Sequence, residues 1–85
     1  MAEYIAGMAT LRLFASIREA AGTGQATFDE DSVGAVIDAA CGVYGATFAE
    51  HVPTCRIWVN GEPADRAVVV GAADEVALLP PVSGG

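Results

Sequence analysis

The clearest periodic pattern in the chain lies between residues 32 and 44, where apolar residues recur at the spacing of a helix. Ser32 is suited to the N-cap position, the acidic residues 29–31 precede the positive end of a helix dipole, and Gly45 is suited to end the helix. The pattern predicts a helix over 32–44 with one apolar face directed at a core. That face comprises Val33, Val36, Ile37, Ala40, Cys41 and Tyr44.

Alternating and apolar runs predict strands on both sides of this helix. In residues 10–14, Leu11 and Leu13 face the core and Phe14 faces the other way. Residues 15–21 are expected to form a short helical turn, and Asn60-Gly61 is a strong turn signal. The order β, β, α, β, β, β predicts an α+β fold, a sheet with one main helix on one face. The further strands are predicted at residues 25–28, 55–59, 67–70 and 75–79.

The sheet face turned away from the helix is predicted to carry an apolar patch. If the alternate residues of the last strand point inward, Leu79 points outward on the same face as Phe14 and Trp58. An exposed apolar patch of this kind is typical of a surface that binds a partner. The alternative is that the helix or a loop covers it.

Composition limits the function further. With 85 residues, the chain has room for one domain and a modest core, but it is too small for a deep catalytic cavity. Its net charge of −7 argues against binding to nucleic acid or to an anionic membrane, and it favours a partner with a basic docking surface. The sequence contains four arginines and no lysine.

The residues that could bear chemistry show no catalytic or metal-binding spacing. Cys41 and Cys55 fit neither a metal motif nor a disulfide framework, and His51 is expected to lie at the surface. Residues 29–31 are better explained as a solvated helix start than as a metal cluster. Without a signal peptide or an apolar run near ~20 residues, we expect a cytoplasmic protein with reduced thiols, no membrane span and no metal.

The last six residues are predicted to form an extended tail: Pro80, Pro81, Val82, Ser83, Gly84 and Gly85. Proline restricts φ and favours an extended path away from the sheet, whereas glycine has no Cβ and fits a narrow tunnel. Gly85 places a free carboxylate at the tip. We therefore expect a flexible extension at 1–7, a domain at 8–79 and a tail at 80–85.

Three segments resemble the small subunit of molybdopterin synthase. Residues 13–22 (LFASIREAAG) are similar to the first strand and turn of that family, residues 59–62 (VNGE) to its central turn, and residues 73–85 (ADEVALLPPVSGG) to its C-terminal signature. The resemblance covers residues 8–85 and implies a ubiquitin-like β-grasp fold.

The resemblance also implies a function. Gly85 would be adenylated with ATP by an enzyme of the ubiquitin-activating type and converted to a thiocarboxylate with sulfur from a sulfurtransferase. The molybdopterin synthase large subunit, in a heterotetramer with this chain, would pass that sulfur to a pterin precursor. No cofactor would be bound and no residue of this chain would be catalytic. Phe14, Trp58, Leu79 and Arg18 would contact partners, although Arg18 could instead pair locally with Glu19.

Other proteins share the Gly-Gly tail, so alternatives stay open at this stage. Sulfur carriers for thiamine or cysteine synthesis use the same ending. A ubiquitin-like modifier would use Gly85 to form isopeptide bonds with lysines of target proteins.

Overall fold

Five strands form one mixed sheet in the computed structural model, which describes residues 8–81. The elements are β1 (Met8–Leu13), α1 (Ala15–Ala21), β2 (Gln25–Asp29), α2 (Val33–Tyr44), α3 (Ala46–His51), a 3-10 turn (Val52–Thr54), β3 (Arg56–Val59), β4 (Glu62–Pro63) and β5 (Glu75–Leu79). The spatial order of the strands is β2-β1-β5-β3-β4, with β1 and β5 parallel and the other neighbours antiparallel. This confirms the predicted α+β class and the β-grasp arrangement.

The core lies between the helices and one face of the sheet. Alternate residues of β1 and β5 are fully buried there, as strand periodicity requires. The predicted inward residues of α2 meet them, except that Cys41 and Tyr44 are only partly buried. The buried residues are Ala9, Leu11, Leu13, Ile17, Val33, Val36, Ile37, Ala40, Phe48, Val70, Val76 and Leu78.

Helix α2 begins and ends at the predicted residues. The Ser32 hydroxyl accepts a hydrogen bond from the Ala35 amide at 3.1 Å, which satisfies one of the free amides of the first turn. Gly45 follows the last turn at φ 93°, and its amide donates to the Cys41 carbonyl at 2.9 Å. A left-handed residue at this position favours glycine, which explains why the helix stops here.

Residues 67–70, predicted as a strand, form a loop instead. Within residues 8–81 their contact with the strand network is one isolated bridge, between Ser32 and Val69, and Val69 remains 78% exposed. The sheet position beside β3 belongs to the two-residue strand β4. The prediction of a strand at 67–70 was therefore wrong.

The reason lies at the start of α2, whose first amides need acceptors from outside the helix. The loop supplies them: Val33 donates to the Val68 carbonyl and Gly34 to the Arg66 carbonyl, both at 2.9 Å. A Cβ at Gly34 would lie 3.2 Å from the Arg66 oxygen, so glycine allows this close approach. The loop backbone thus caps a helix and does not join the sheet.

Two shorter helices accompany α2, whereas the sequence predicted one main helix. Helix α1 occupies the predicted helical turn at 15–21, and α3 was not predicted. Phe48 of α3 is fully buried, and its ring centroid lies 5.1 Å from that of Tyr44. These contacts hold α3 against the end of α2.

A tight turn joins β3 to β4, as Asn60-Gly61 predicted. Both residues adopt positive φ, 53° and 85°, as a two-residue hairpin turn requires. The Asn60 side chain donates to Asp74 Oδ1 at 2.8 Å and accepts from the Glu75 amide at 2.9 Å. Asp74 Oδ2 accepts from the Gly71 amide at 2.8 Å. The hydrogen bond from Asn60 lowers the pKa of Asp74 most, and the bond from the Gly71 amide lowers it further.

Candidate docking site and tail exit

The predicted docking residues lie together on the sheet face opposite the helices. In β5, Ala77 and Leu79 alternate with buried residues, and Trp58 of β3 pairs with Ala77. Strands β1 and β5 stay in register to the last residue of β1. Phe14 follows with extended backbone (φ −133°, ψ 154°), which places it at the next position beside Leu79.

The patch that these side chains form on this face is apolar and partly exposed. Phe14 is 38% exposed, Trp58 and Leu79 are half-buried, and Pro63 of β4 extends the surface because it pairs with Trp58. The described helices pack on the other side of the sheet. We call Phe14, Trp58, Pro63, Ala77 and Leu79 the docking face.

Arg12 borders the docking face and helps to position Phe14. Its Nη1 donates to Glu75 Oε2 at 3.0 Å, and its Cζ lies 5.9 Å from the centroid of the Phe14 ring. An ion pair this exposed adds little stability, so its main effect is to hold the guanidinium beside the ring, where the two attract.

Arg18 stands on α1, one turn beyond Phe14. Between them, Ala15 adopts φ 52°, a left-handed conformation that is unusual for a residue with a Cβ and that turns the chain sharply from β1 into α1. The Arg18 side chain packs over Gly24, where a Cβ would lie 3.2 Å from Nε. Residues 8–81 contain no ion pair between Arg18 and Glu19, the local pairing that the sequence left open.

The tail leaves directly from the docking face. Pro80 and Pro81 follow β5, the first half-buried and the second exposed. The predicted tail residues Val82, Ser83, Gly84 and Gly85 lie outside the described residues, and so does the predicted extension at 1–7. The structure therefore describes the first two residues of the predicted tail.

The other candidate groups are placed as structural residues. Cys41 and Cys55 are free thiols, and burial raises the pKa of both, which lowers the fraction of reactive thiolate. His51 Nδ1 lies 2.8 Å from the Thr47 carbonyl, one helical turn away. Residues 8–81 hold no cluster of three metal-ligating side chains. Among the described residues, no helix combines the length and the apolar character that crossing a membrane requires.

Sequence reasoning missed three neighbours of the predicted residues. Pro63 was missed because β4 has only two residues and gives no periodic signal. Arg12 and Arg56 could have been found, since strand alternation places both on the outward face. Arg56 pairs with Leu79 in the β3–β5 ladder.

Comparison with known proteins identifies the family. The ThiS family model matches residues 11–85. Small archaeal modifier protein 1 of Haloferax volcanii is 36% identical over 87 aligned residues, which cover 87% of this chain and 97% of that protein. The crystal structure of that protein matches this chain with a TM-score of 0.82 at 34% identity, and the match covers 93% of this chain and 100% of that chain.

More distant structures share the fold. A putative molybdopterin converting factor subunit 1 from Pyrococcus furiosus has a TM-score of 0.77 at 22% identity, covering 88% of this chain and 98% of that one. Subunit 1 in a complex with subunit 2 of the Helicobacter pylori molybdopterin-converting factor has a TM-score of 0.67, also at 22% identity. It covers 92% of this chain and 99% of that one.

Proposed function

This chain belongs to the ThiS family, and we propose that it acts as a sulfur carrier through a thiocarboxylate at Gly85. At the coarser level it is a ubiquitin-like protein of the sulfur-carrier and protein-modifier class. The observation that carries the proposal is continuity: the strand that supplies Ala77 and Leu79 to the docking face runs directly into Pro80 and the tail. A partner bound to that face would receive the tail.

The proposed chemistry needs a reactive chain end and a partner enzyme. A carboxylate resists nucleophiles because it is anionic and lacks a good leaving group. When a Gly85 carboxylate oxygen attacks the α-phosphorus of ATP, pyrophosphate leaves and an acyl adenylate forms. A persulfide sulfur from the sulfurtransferase then attacks the carbonyl and AMP leaves. A thiol cleaves the resulting acyl disulfide, giving the thiocarboxylate.

In this proposal the chain itself supplies binding and reach. Phe14, Trp58 and Leu79 dock on the partner, and Arg18 contacts it beside them. Pro80 and Pro81 direct the tail outward, and Gly84 passes through a channel too narrow for a Cβ. No cofactor is bound by this chain, and ATP is used by the adenylating enzyme.

For the destination of the sulfur, we propose a pterin precursor in molybdenum cofactor synthesis. Support comes from the segments at 13–22 and 73–85, which resemble the molybdopterin synthase small subunit. The chain would then be the non-catalytic small subunit of a cytoplasmic heterotetramer with the large subunit. Thiamine or cysteine synthesis would use the same tail with a different acceptor enzyme.

A second candidate is a protein modifier, favoured by the 36% identity with small archaeal modifier protein 1. The Gly85 acyl adenylate would be used here too, but the acceptor would be a lysine Nζ of a target protein. The amine attacks the carbonyl, AMP or a carrier thiol leaves, and an isopeptide bond forms. Both candidates share activation at Gly85 and differ in the nucleophile that follows.

Intact-mass spectrometry tests the proposal. The full chain is incubated with the adenylating enzyme of its own organism, ATP, a sulfurtransferase and cysteine. We expect the mass increase of one oxygen-to-sulfur exchange, and its loss when Gly85 is deleted or Gly84 is changed to alanine. Gly42→Ala is the matched control, because a Cβ at Gly42 meets no atom within 4 Å. Normal thiolation of a chain lacking Gly84 and Gly85 would contradict the proposal.

Two further assays separate the destinations. Thiolated chain mixed with the large subunit and the pterin precursor should yield the dithiolene product if the first candidate holds. Tagged chain expressed in its own organism should produce high-mass conjugates, lost on deletion of Gly85, if the second holds.

A further inference from the structure

The charges of this acidic protein are separated along the strand axis. Strands β1 and β5 finish where β2 and β3 begin, and we call this end of the sheet the tail end, because Pro80 leaves from it. Three of the four arginines lie there. Arg12 and Arg56 are on the outward face of β1 and β3, and Arg18 packs over Gly24 just before β2.

The carboxylates concentrate at the opposite end. β2 finishes there, β5 begins there, and the β3–β4 turn lies there as well, so acidic residues next to these points are brought together. Two described carboxylates lie toward the tail end: Glu19 on α1, next to Arg18 in the chain, and Glu50 on α3, which leads into the start of β3. The opposite end carries Asp29, Glu30, Asp31, Glu62 and Asp74, together with Glu75, whose carboxylate reaches back to Arg12.

Two of the tail-end arginines are available to a partner. Arg12 is held by Glu75, and Arg66 is held by Asp38 at 2.8 Å on the helix side. Within residues 8–81, Arg18 and Arg56 make no ion pair, and both are exposed. Arg56 lies beside Leu79 in the ladder, so its charge borders the docking face.

We propose that the surface of the adenylating enzyme that receives the docking face is apolar at its centre and carries carboxylates opposite Arg18 and Arg56. This inference rests on the proposed function, which supplies that partner. From the net negative charge, the sequence analysis predicted a basic surface on the partner, and that prediction assumes that the charge of this chain is evenly distributed. Because the arginines are placed at the tail end, we expect the opposite there, a partner surface that carries carboxylates.

The separation of charge has a kinetic consequence. A protein whose carboxylates are concentrated at one end has an electric dipole, so the field of an acidic surface turns it and it approaches with the tail end first. Steering of this kind raises association rates and is lost as salt screens the field, with a Debye length of about 8 Å at physiological ionic strength. The dissociation rate should change less, because both arginines lie at the rim of the apolar patch.

Stopped-flow association with the adenylating enzyme tests the inference across a range of ionic strengths. The variants are Arg56→Gln and the double variant Arg18→Gln/Arg56→Gln. Val69→Glu is the matched control, because it makes the same charge change as Arg56→Gln at a residue 78% exposed and bridged to Ser32, away from the tail end. Thermal melts verify that each variant is folded.

At low salt we expect association of the double variant to be about tenfold slower than wild type, with a flatter salt dependence, and Val69→Glu to stay within about twofold. Equal slowing by Val69→Glu and Arg56→Gln would show that only net charge matters and would overturn the inference. Faster association of the arginine variants would overturn it too, since it would indicate a basic partner surface. If wild type adenylation itself is absent at every ionic strength, the proposed function fails and the inference fails with it.

Discussion

Two phenylalanines give the sharpest separation of docking from folding. Phe48 is fully buried in the core, whereas Phe14 is 38% exposed on the docking face. Truncation to alanine removes the same atoms from both sites. We expect Phe48→Ala to cost more stability than Phe14→Ala, and Phe14→Ala to weaken binding as well.

The magnitudes follow from burial. Losing a buried phenylalanine costs about 3–5 kcal/mol, a large part of the roughly 4–13 kcal/mol expected for 85 residues. For Phe14, docking would cover the exposed 38% of a side chain that buries roughly 200 Å². At about 25 cal/mol per Å², this is worth about 2 kcal/mol, or about 25-fold in Kd.

Urea unfolding followed by circular dichroism gives the free energy of unfolding, and titration calorimetry with the adenylating enzyme gives the affinity. On the same scale, the part of the Phe14 ring that is already covered in the free domain is worth at most about 3 kcal/mol. Phe14→Ala should therefore lose less stability than Phe48→Ala and bind roughly 25-fold more weakly. If it loses as much stability as Phe48→Ala, its ring belongs to the core. If its affinity equals that of wild type, the docking face is wrongly assigned.

The remaining predictions concern the core and the β3–β4 turn. Val36→Asp should unfold the domain, because an unpaired charge at a fully buried site costs several kcal/mol. Val43→Asp is the control, since Val43 lies on the same helix but is 67% exposed, and this variant should melt close to wild type. Equal losses of stability in the two variants would refute the core assignment. The pKa of Asp74 is lowered in the folded state, so its ionised form contributes to stability. This contribution is fully present at pH values above the ordinary aspartate pKa of about 3.9, and it is lost as the pH falls through the lower pKa of the folded state. The stability difference between wild type and Asp74→Asn should therefore be largest near neutral pH and shrink in acid, and a difference independent of pH in urea titrations would contradict this.

Local signals predicted the elements that are bounded by distinct residues. Helix α2 has a periodic apolar face, a capping Ser32 and a terminating Gly45, so its limits could be predicted closely. Strand β5 was predicted from Glu75 to Leu79, as observed. The position of the docking residues on one outward face also followed from strand alternation, because the backbone fixes the period of two and the buried apolar residues fix which face points inward.

The errors arose where tertiary contacts decide the outcome. Residues 67–70 have strong β propensity, yet their backbone is used at the start of α2, a demand that the loop sequence does not reveal. Phe48 lies on a six-residue helix that has too few turns to show a period. Arg18 could be assigned to its place over Gly24 only once the path of β2 was known.

The central position of β5 determines how the domain responds to force on its tail. A pull applied at Pro81 acts along β5, which is hydrogen-bonded to β1 on one side and to β3 on the other. The load falls in shear on both ladders, so their bonds share it and do not break one after another. Chain ends attached to edge strands peel away more easily. A partner enzyme that binds the tail and pulls on it would therefore move the whole domain as a rigid body and leave it folded.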